Sequence, residues 1–365
     1  MRINEILLDS YKDIPATIKK TGASRPFLCC GKSFEQTEAF KFLKASLDLT
    51  VWDSIRPNPR YEDMLAAAEL FRREKCDFMI GAGGGSPLDS AKMIKLLATN
   101  QGKVGYSEPL DDNDIPFLAI PTTSGTGSEA TRYSIFYVNE NQKYSVSHPG
   151  FLPGYVLLDP DFLKTVNDYQ RKCTCLDALA HAIESYWSVR ANAESQKYAE
   201  KAIRIFVACK DEYMRNETRG NAGMMLASYN AGKAIDITST TAAHAMCYNI
   251  TMNCSTSHGH SVAVGLAEIW KYMLVHNNEV NDQRGRSYVL QTFEEISEML
   301  GGKGISDGPV LFENILREFG LPFPKATLSQ CNSFAKSVRT DRLKNNPTVL
   351  TLNDVQTIYR NILLK

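Results

Sequence analysis

Over its first 160 or so residues the chain alternates short apolar runs with longer segments of helical period. The run PFLCC at 26–30 stops at Gly31 and predicts a buried strand. Residues 49–55, 77–80, 116–120 and 155–158 read as further strands. Between them, 61–75 has helical spacing and ends in Arg72, Arg73 and Lys75, cations that suit a helix C-terminus. Ser86-Pro87-Leu88-Asp89 predicts a helix start, with Ser86 as N-cap and Pro87 at the first helical position. Segments 131–138 and 143–147 flank Asn-Glu-Asn-Gln and predict a hairpin. Strands alternating with helices imply a parallel sheet covered on both faces. After residue 162 the strand signals fade, and helical spacing fills 174–188, 194–214, 220–236, 239–250, 260–277, 286–301, 309–319 and 352–363. The pattern divides the chain into an α/β domain over 1–163 and an all-α domain over 164–365.

Composition narrows the function classes. The 365 residues carry 41 Lys+Arg against 41 Asp+Glu, a balance unlike the basic surplus of a dedicated nucleic-acid binder. No stretch approaches the roughly 20 apolar residues of a membrane helix. The opening MRINEILLDSYKD places acids where a secretory signal has its apolar run. Nine cysteines, an odd count without zinc-ribbon spacing, suit reduced thiols in a cytoplasm.

Two loops carry candidate chemistry in the first domain. Gly81-Ala82-Gly83-Gly84-Gly85-Ser86 follows a predicted strand and opens a helix, where free N–H groups and the helix dipole favour a phosphate. Positions 81, 83 and 86 read Gly, Gly, Ser, so the dinucleotide fingerprint G-x-G-x-x-G is imperfect. Gly31-Lys32-Ser33 lacks the upstream glycine of a P-loop. A second loop, 121–129 (PTTSGTGSE), also follows a strand and is dense in hydroxyls. Two such loops at the ends of parallel strands converge where open α/β sheets bind ligands.

The helical domain holds a different constellation. Asp177 and His181 stand four apart in a helical segment, so carboxylate and imidazole share a face. His244 lies in a second helix, and His258 follows 14 residues later in Ser-His-Gly-His. Singly, these motifs are explained as well by a surface salt bridge or a polar turn. Together they offer one carboxylate and three imidazoles, a set that suits Fe(II) or Zn(II).

With these residues in view, the chain resembles the iron-containing (group III, metal-dependent) alcohol dehydrogenases over nearly its whole length. The matching segments are GGGSPLDSAK (83–92), PTTSGTGSEAT (121–131), LLDPDF (157–162), DALAHAIES (177–185) and HAMCYNITMNCSTSHGH (244–260). The resemblance implies a Rossmann-like dinucleotide-binding domain, an all-α metal-binding domain and a cleft between them for nicotinamide and metal. It also implies NAD(H), one divalent metal and a homodimer. It places the metal ligands on Asp177, His181, His244 and His258. The cofactor positions fall on Gly31, Lys32, Ser33, Gly83, Gly84, Gly85, Ser86, Asp89, Thr122, Thr123, Thr126, Ser128, Thr131 and Lys143.

Three positions depart from the family pattern. Where many members carry a further histidine near the nicotinamide, this chain has Tyr248; Tyr248 and His260 are the candidates for moving a proton. Where NAD-selective members carry an acid at the end of the strand 26–30, this chain has Gly31, followed by Lys32 and Ser33. With no carboxylate there to repel a 2′-phosphate, NADP(H) stays admissible beside NAD(H). Cys173-Thr174-Cys175-Leu176 stands where a glycine is more usual and reads as packing.

Segments 131–137, 183–195 and 231–251 look most like the branch that reduces phosphonoacetaldehyde and sulfoacetaldehyde. Such substrates demand cations or hydroxyl donors, and Arg132, Arg190 and Ser239, within the cluster 238–241, are the candidates. Helix capping by Thr238 or Ser239 is the plainer reading of that cluster. The lack of an arginine cluster favours sulfoacetaldehyde, reduced to isethionate. Phosphonoacetaldehyde and a neutral primary alcohol remain the alternatives. Glycerol dehydrogenases and dehydroquinate synthases share the two-domain layout, but the ligand pattern suits them less well. A nucleotide-binding sensor without catalysis fits poorly with four retained ligands.

Overall fold

Alternation inside each apolar run settles how the sheet is covered. The computed structural model describes residues 5–139 and 142–364; the first four residues and the middle of the expected hairpin turn lie outside them. The chain separates into two units, Met1–Val166 and Asn167–Lys365.

In the first unit the elements run β1 (Ile6–Leu8), α1 (Ile14–Lys20), β2 (Pro26–Cys30), α2 (Glu38–Ser46), β3 (Thr50–Trp52), α3 (Tyr61–Arg73), β4 (Phe78–Gly83), α4 (Gly85–Leu97), β5 (Phe117–Pro121), the hairpin β6 (Tyr133–Val138) and β7 (Gln142–Ser147), and β8 (Tyr155–Leu157). Six strands form a parallel sheet in the order β1-β8-β5-β4-β2-β3, while β6 and β7 pair antiparallel. Successive side chains of a strand point to opposite faces. Phe27, Cys29, Met79 and Phe117 pack with Met64, Phe71, Ala91 and Ile94 of α3 and α4. Leu28, Cys30, Ile80 and Leu118 pack with Ile14, Ile18 and Leu43 of α1 and α2. Both faces are covered, which is why these strands read as unbroken apolar runs. Each fully buried Phe, Leu or Ile contributes about 1.5–3 kcal/mol relative to leaving it exposed.

From β2 the chain adds β3 on one side, and from β4 it adds β5 and β8 on the other. The order therefore reverses between β2 and β4, and their C-terminal ends carry Gly31–Ser33 and the glycine run, the crevice where such sheets bind ligands. At Gly83 the chain leaves β4 with φ +147°, and an added Cβ would lie 2.5 Å from Pro87 Cγ. Only glycine accepts that backbone against that ring.

The glycine run also corrects the expected helix start. The helix α4 begins at Gly85 with Gly84 as N-cap and no side-chain cap, so Ser86 is already inside the first turn. The flexible backbone turns from strand to helix without needing a capping oxygen. Elements β1, α1 and α2 carry no signal in the sequence pattern: the strand is three residues long and the helices are short and mostly polar outside.

The second unit is all helix: α5 (Asp168–Trp187), α6 (Ala193–Met214), α7 (Thr218–Thr238), α8 (Ala242–Asn253), α9 (His258–Val275), α10 (Arg286–Met299), α11 (Asp307–Glu318), α12 (Leu328–Ser337), α13 (Thr340–Leu343) and α14 (Leu352–Leu363). The central helix is α5, buried without a break from Cys173 to its end at Trp187. Trp187 meets Trp270 and Phe293 edge-on at 5.5 and 5.6 Å. The helix expected from residue 239 starts instead at Ala242, because Ser239 ends α7 in a left-handed conformation at φ +59°. No helix among the described residues is long and apolar enough to cross a membrane. None of the nine cysteines is in a disulfide. Burial pushes the thiols of Cys29 and Cys175 far up and that of Cys30 to about 12.

Gly83→Ala should lower the unfolding free energy by about 2 kcal/mol or more in urea denaturation, from backbone strain and overpacking combined. A loss below about 0.5 kcal/mol would show that the turn relaxes freely.

Candidate functional site

In the helical unit, Asp177, His181 and Glu184 lie at i, i+4 and i+7 of α5, on one buried stripe. The start of α8 docks onto that stripe. Glu184 Oε1 accepts from Thr241 N at 3.1 Å, Thr241 Oγ1 at 2.7 Å and Ala243 N at 2.9 Å, satisfying donors the helix itself leaves open. Glu184 Oε2 accepts from His244 Nδ1. This bond fixes the tautomer, so His244 turns Nε2 toward Asp177 Oδ1, 3.4 Å away. His258 opens α9 with Nε2 3.8 Å from the same oxygen. One donor atom each from Asp177, His244 and His258 falls within 4.8 Å of the others. His181 stands beside this trio rather than in it, its ring stacked on His244 at 4.4 Å.

Electrostatics show what the cluster calls for. Asp177 Oδ1 and His244 Nε2 are buried and, among the described residues, have no hydrogen-bond partner. Such atoms are costly to leave unmet. Burial works against the charged form of Asp177, yet His181, His258 and His244 outweigh it and hold the carboxyl far below its usual range. Burial likewise lowers His244, and Glu184 and Asp177 override it, raising the imidazole to about 9. Two buried carboxylates thus attract positive charge to this point. The donor set, one carboxylate oxygen and imidazole nitrogens, fits a divalent metal.

The Ser-His-Gly-His turn is tightly placed. A Cβ on Gly259 would lie 2.0 Å from Cys173 O, so only glycine lets α9 close on α5 there. His260 is occupied on both ring nitrogens. Its Nδ1 meets Tyr169 Oη at 3.1 Å and its Nε2 meets Pro322 O at 2.9 Å, while Tyr169 Oη accepts from Ser257 N. Burial lowers its pKa. These contacts make His260 an anchor of the turn that carries His258. Tyr248 stacks near His258, ring centres 6.1 Å apart, and its Oη accepts from Arg342 Nη1 at 2.8 Å. Arg190 is exposed beyond the end of α5, and Ser239 sits at the end of α7, whose neighbouring carbonyls of Thr238 and Thr240 accept from Asn345.

In the first unit, the two loops face one another. Thr122 N donates to Gly83 O at 2.9 Å. A Cβ on Gly84 would meet Thr123 at 3.4 Å, and one on Gly85 would meet Thr126 at 3.1 Å. The loops thus pack directly against each other at the N-terminus of α4, which has no side-chain cap and whose open N–H groups fit the pyrophosphate of a dinucleotide. Asp89, Ser128 and Thr131 are tied together around a lysine the motif reading passed over. Lys92, fully buried, donates to Ser128 Oγ at 2.8 Å, Thr131 Oγ1 at 3.2 Å and Tyr133 O at 2.7 Å. Asp89 accepts from Ser128 Oγ at 2.6 Å and from Ile135 N at 3.1 Å. This network fastens the second loop and the hairpin to α4. Burial raises the Asp89 carboxyl, against the pull of Lys92, its hydrogen bonds and Lys143, which is half-buried on β7. Arg132 precedes β6, where its carbonyl accepts from His148 N.

Lys32 brings a correction. It pairs with Asp53 at 2.8 Å, so a carboxylate does stand at the end of β2. Asp53 comes from the neighbouring strand β3, 21 residues away, which is why local reading missed it. Glu184 was legible, at helical spacing from Asp177 and His181; Arg342 had no signal in the sequence.

Glu129 in the second loop is buried, and desolvation pushes its carboxyl up to about 7. Unfolding lets it ionise from about 4.5, so the unfolded state binds fewer protons between these values and stability falls as pH rises through the window. Glu129→Gln should gain in melting temperature over the parent from pH 5 to pH 7. Parallel curves for the two proteins would show that Glu129 ionises as freely folded as unfolded.

Comparison with known proteins follows the same division. Residues 7–160 match the family model "iron-containing alcohol dehydrogenase", and residues 172–363 match "Fe-containing alcohol dehydrogenase family, C-terminal". An NAD-dependent methanol dehydrogenase of Bacillus methanolicus is 25% identical over 378 residues, 97% of this chain and 96% of that protein. A phosphonoacetaldehyde reductase of Streptomyces viridochromogenes is 26% identical over 317 residues, covering 82% and 80%. A crystal structure of sulfoacetaldehyde reductase from Bifidobacterium kashiwanohense in complex with NAD+ superposes with a TM-score of 0.87, covering 99% of this chain and 96% of that one; at 23% identity it speaks to the fold.

Proposed function

This chain belongs to the iron-containing alcohol dehydrogenase family, and from that premise we propose that it reduces a small anionic aldehyde, sulfoacetaldehyde to isethionate in our reading. Phosphonoacetaldehyde and a neutral primary alcohol or its aldehyde are the alternatives. The observation that carries the proposal is the convergence of Asp177, His244 and His258 around unpartnered buried atoms. Asp177, His181, His244 and His258 would hold the metal, Fe(II) or Zn(II). The facing glycine and hydroxyl loops would hold the dinucleotide. Asp53 beside Lys32 favours NAD(H), since a carboxylate there binds a ribose 2′-hydroxyl and repels a 2′-phosphate.

When bound, the metal supplies a Lewis acid at the carbonyl oxygen and the nicotinamide supplies hydride. The chain's own part is orientation and protons. Glu184 keeps His244 Nδ1 protonated, which leaves Nε2 as the donor atom of that ring. His260 and Tyr169 hold the turn at His258. Tyr248 Oη accepts from Arg342 and its ring lies beside His258, which makes it our choice to protonate the product oxygen. A cytoplasmic homodimer completes the reading, and nine cysteines outside any disulfide suit that compartment.

NADH oxidation by metal-loaded enzyme, followed with sulfoacetaldehyde, phosphonoacetaldehyde and propionaldehyde in parallel, tests the substrate. We expect kcat/KM at least about tenfold higher for an anionic aldehyde, about 1.4 kcal/mol of transition-state binding. Equal or faster turnover of propionaldehyde would make this a general alcohol dehydrogenase. For the metal, His258→Ala should lose turnover and bound metal together. Glu184→Gln should weaken metal affinity by about 10–100-fold in chelator competition. Full metal retention in both variants would displace the centre from these helices.

A further inference from the structure

Arg342 lies on α13, a single turn of helix packed on α8. Its guanidinium donates to Tyr248 Oη at 2.8 Å and lies over the Tyr248 ring, 5.4 Å from its centre. The other side of the same neighbourhood is His258, whose ring centre is 6.1 Å from that of Tyr248 and nearly parallel to it. The cation and the imidazole thus both border one aromatic ring.

Three other cations of this unit are committed elsewhere. Arg171 is buried against Tyr213 and Asn221. Lys233 lies over the rings of Tyr198 and Tyr229, and Arg284 pairs with Asp282. Among the described residues no carboxylate forms an ion pair with Arg342, which is half-buried. One of its five N–H donors meets Tyr248; a planar fork with further donors matches two oxygens of a sulfonate or phosphonate.

We propose that Arg342 is the residue that recognises the acidic group of the substrate, a two-carbon aldehyde ending in a sulfonate or phosphonate. The inference rests on the anionic-aldehyde reading above and replaces Arg190 and Ser239 as its anchor. It also gives Tyr248 a second role: by accepting from Nη1 it aims the guanidinium while standing beside the metal-binding histidines.

The test compares Arg342→Ala and Arg342→Lys with the parent, all metal-loaded and checked for unchanged melting. Arg342→Ala should lower kcat/KM for sulfoacetaldehyde or phosphonoacetaldehyde about 10- to 100-fold more than it lowers kcat/KM for propionaldehyde, the excess falling mostly in KM. Arg342→Lys should recover part of the loss, since it restores charge without the fork. Calorimetric titration with ethanesulfonate, which cannot be reduced, should show binding to the parent that Arg342→Ala loses. Equal losses for charged and neutral aldehydes, or undiminished ethanesulfonate binding in Arg342→Ala, would overturn the assignment while the reductase reading stands. Binding of ethanesulfonate that depends on Arg342, in an enzyme that reduces none of the aldehydes, would uphold the anion site and sink the reductase reading.

Discussion

The bond between Glu184 and His244 joins the two helices on which the rest of the centre depends. Glu184 is fully buried on α5, and an isolated carboxylate there would carry a desolvation penalty of several kcal/mol. It is met instead by the open N–H groups at the start of α8, by Thr241 Oγ1 and by the His244 ring. One residue therefore caps a helix, sets its rotation against α5 and chooses the tautomer of a candidate ligand. Asp177 then faces two imidazoles without any further adjustment of backbone. The tight seat of Gly259 against Cys173 O brings in the third element, α9.

The first unit solves a parallel problem with the opposite charge. Lys92 is as deeply buried as Glu184, and its donors go to Ser128, Thr131 and the Tyr133 carbonyl, with Asp89 Oδ1 3.8 Å away. Several positions that resemble the family's cofactor contacts thus spend their side chains on shaping the loop. What they leave for a ligand is backbone, which is what glycine-rich phosphate sites use.

Much of this was legible along the chain. The buried strands announced themselves as apolar runs because both faces of the sheet are covered, and α5 to α11 and α14 had clear spacing. The candidate ligands stood out because Asp and His are rare on an apolar stripe. What stayed hidden is tertiary. Asp53 reaches Lys32 across two neighbouring strands, and Arg342 reaches Tyr248 across 94 residues. The start of α4 was misplaced because glycines, unlike a capping serine, leave no side-chain signature. His260 looked like a spare catalytic base, but burial and two partners make it part of the scaffold.

The buried thiols carry a consequence for handling the protein. Peroxide and alkylating reagents attack the thiolate, and burial keeps Cys29, Cys30 and Cys175 in the protonated form far above neutral pH. Cys173, Cys209 and Cys331 are shifted the same way. These six buried thiols are thereby guarded against sulfenic acid formation and disulfide scrambling in the folded state. Activity lost on standing in air is to be traced elsewhere than these thiols, and reducing agents in the buffer act on unfolded chains more than on native ones.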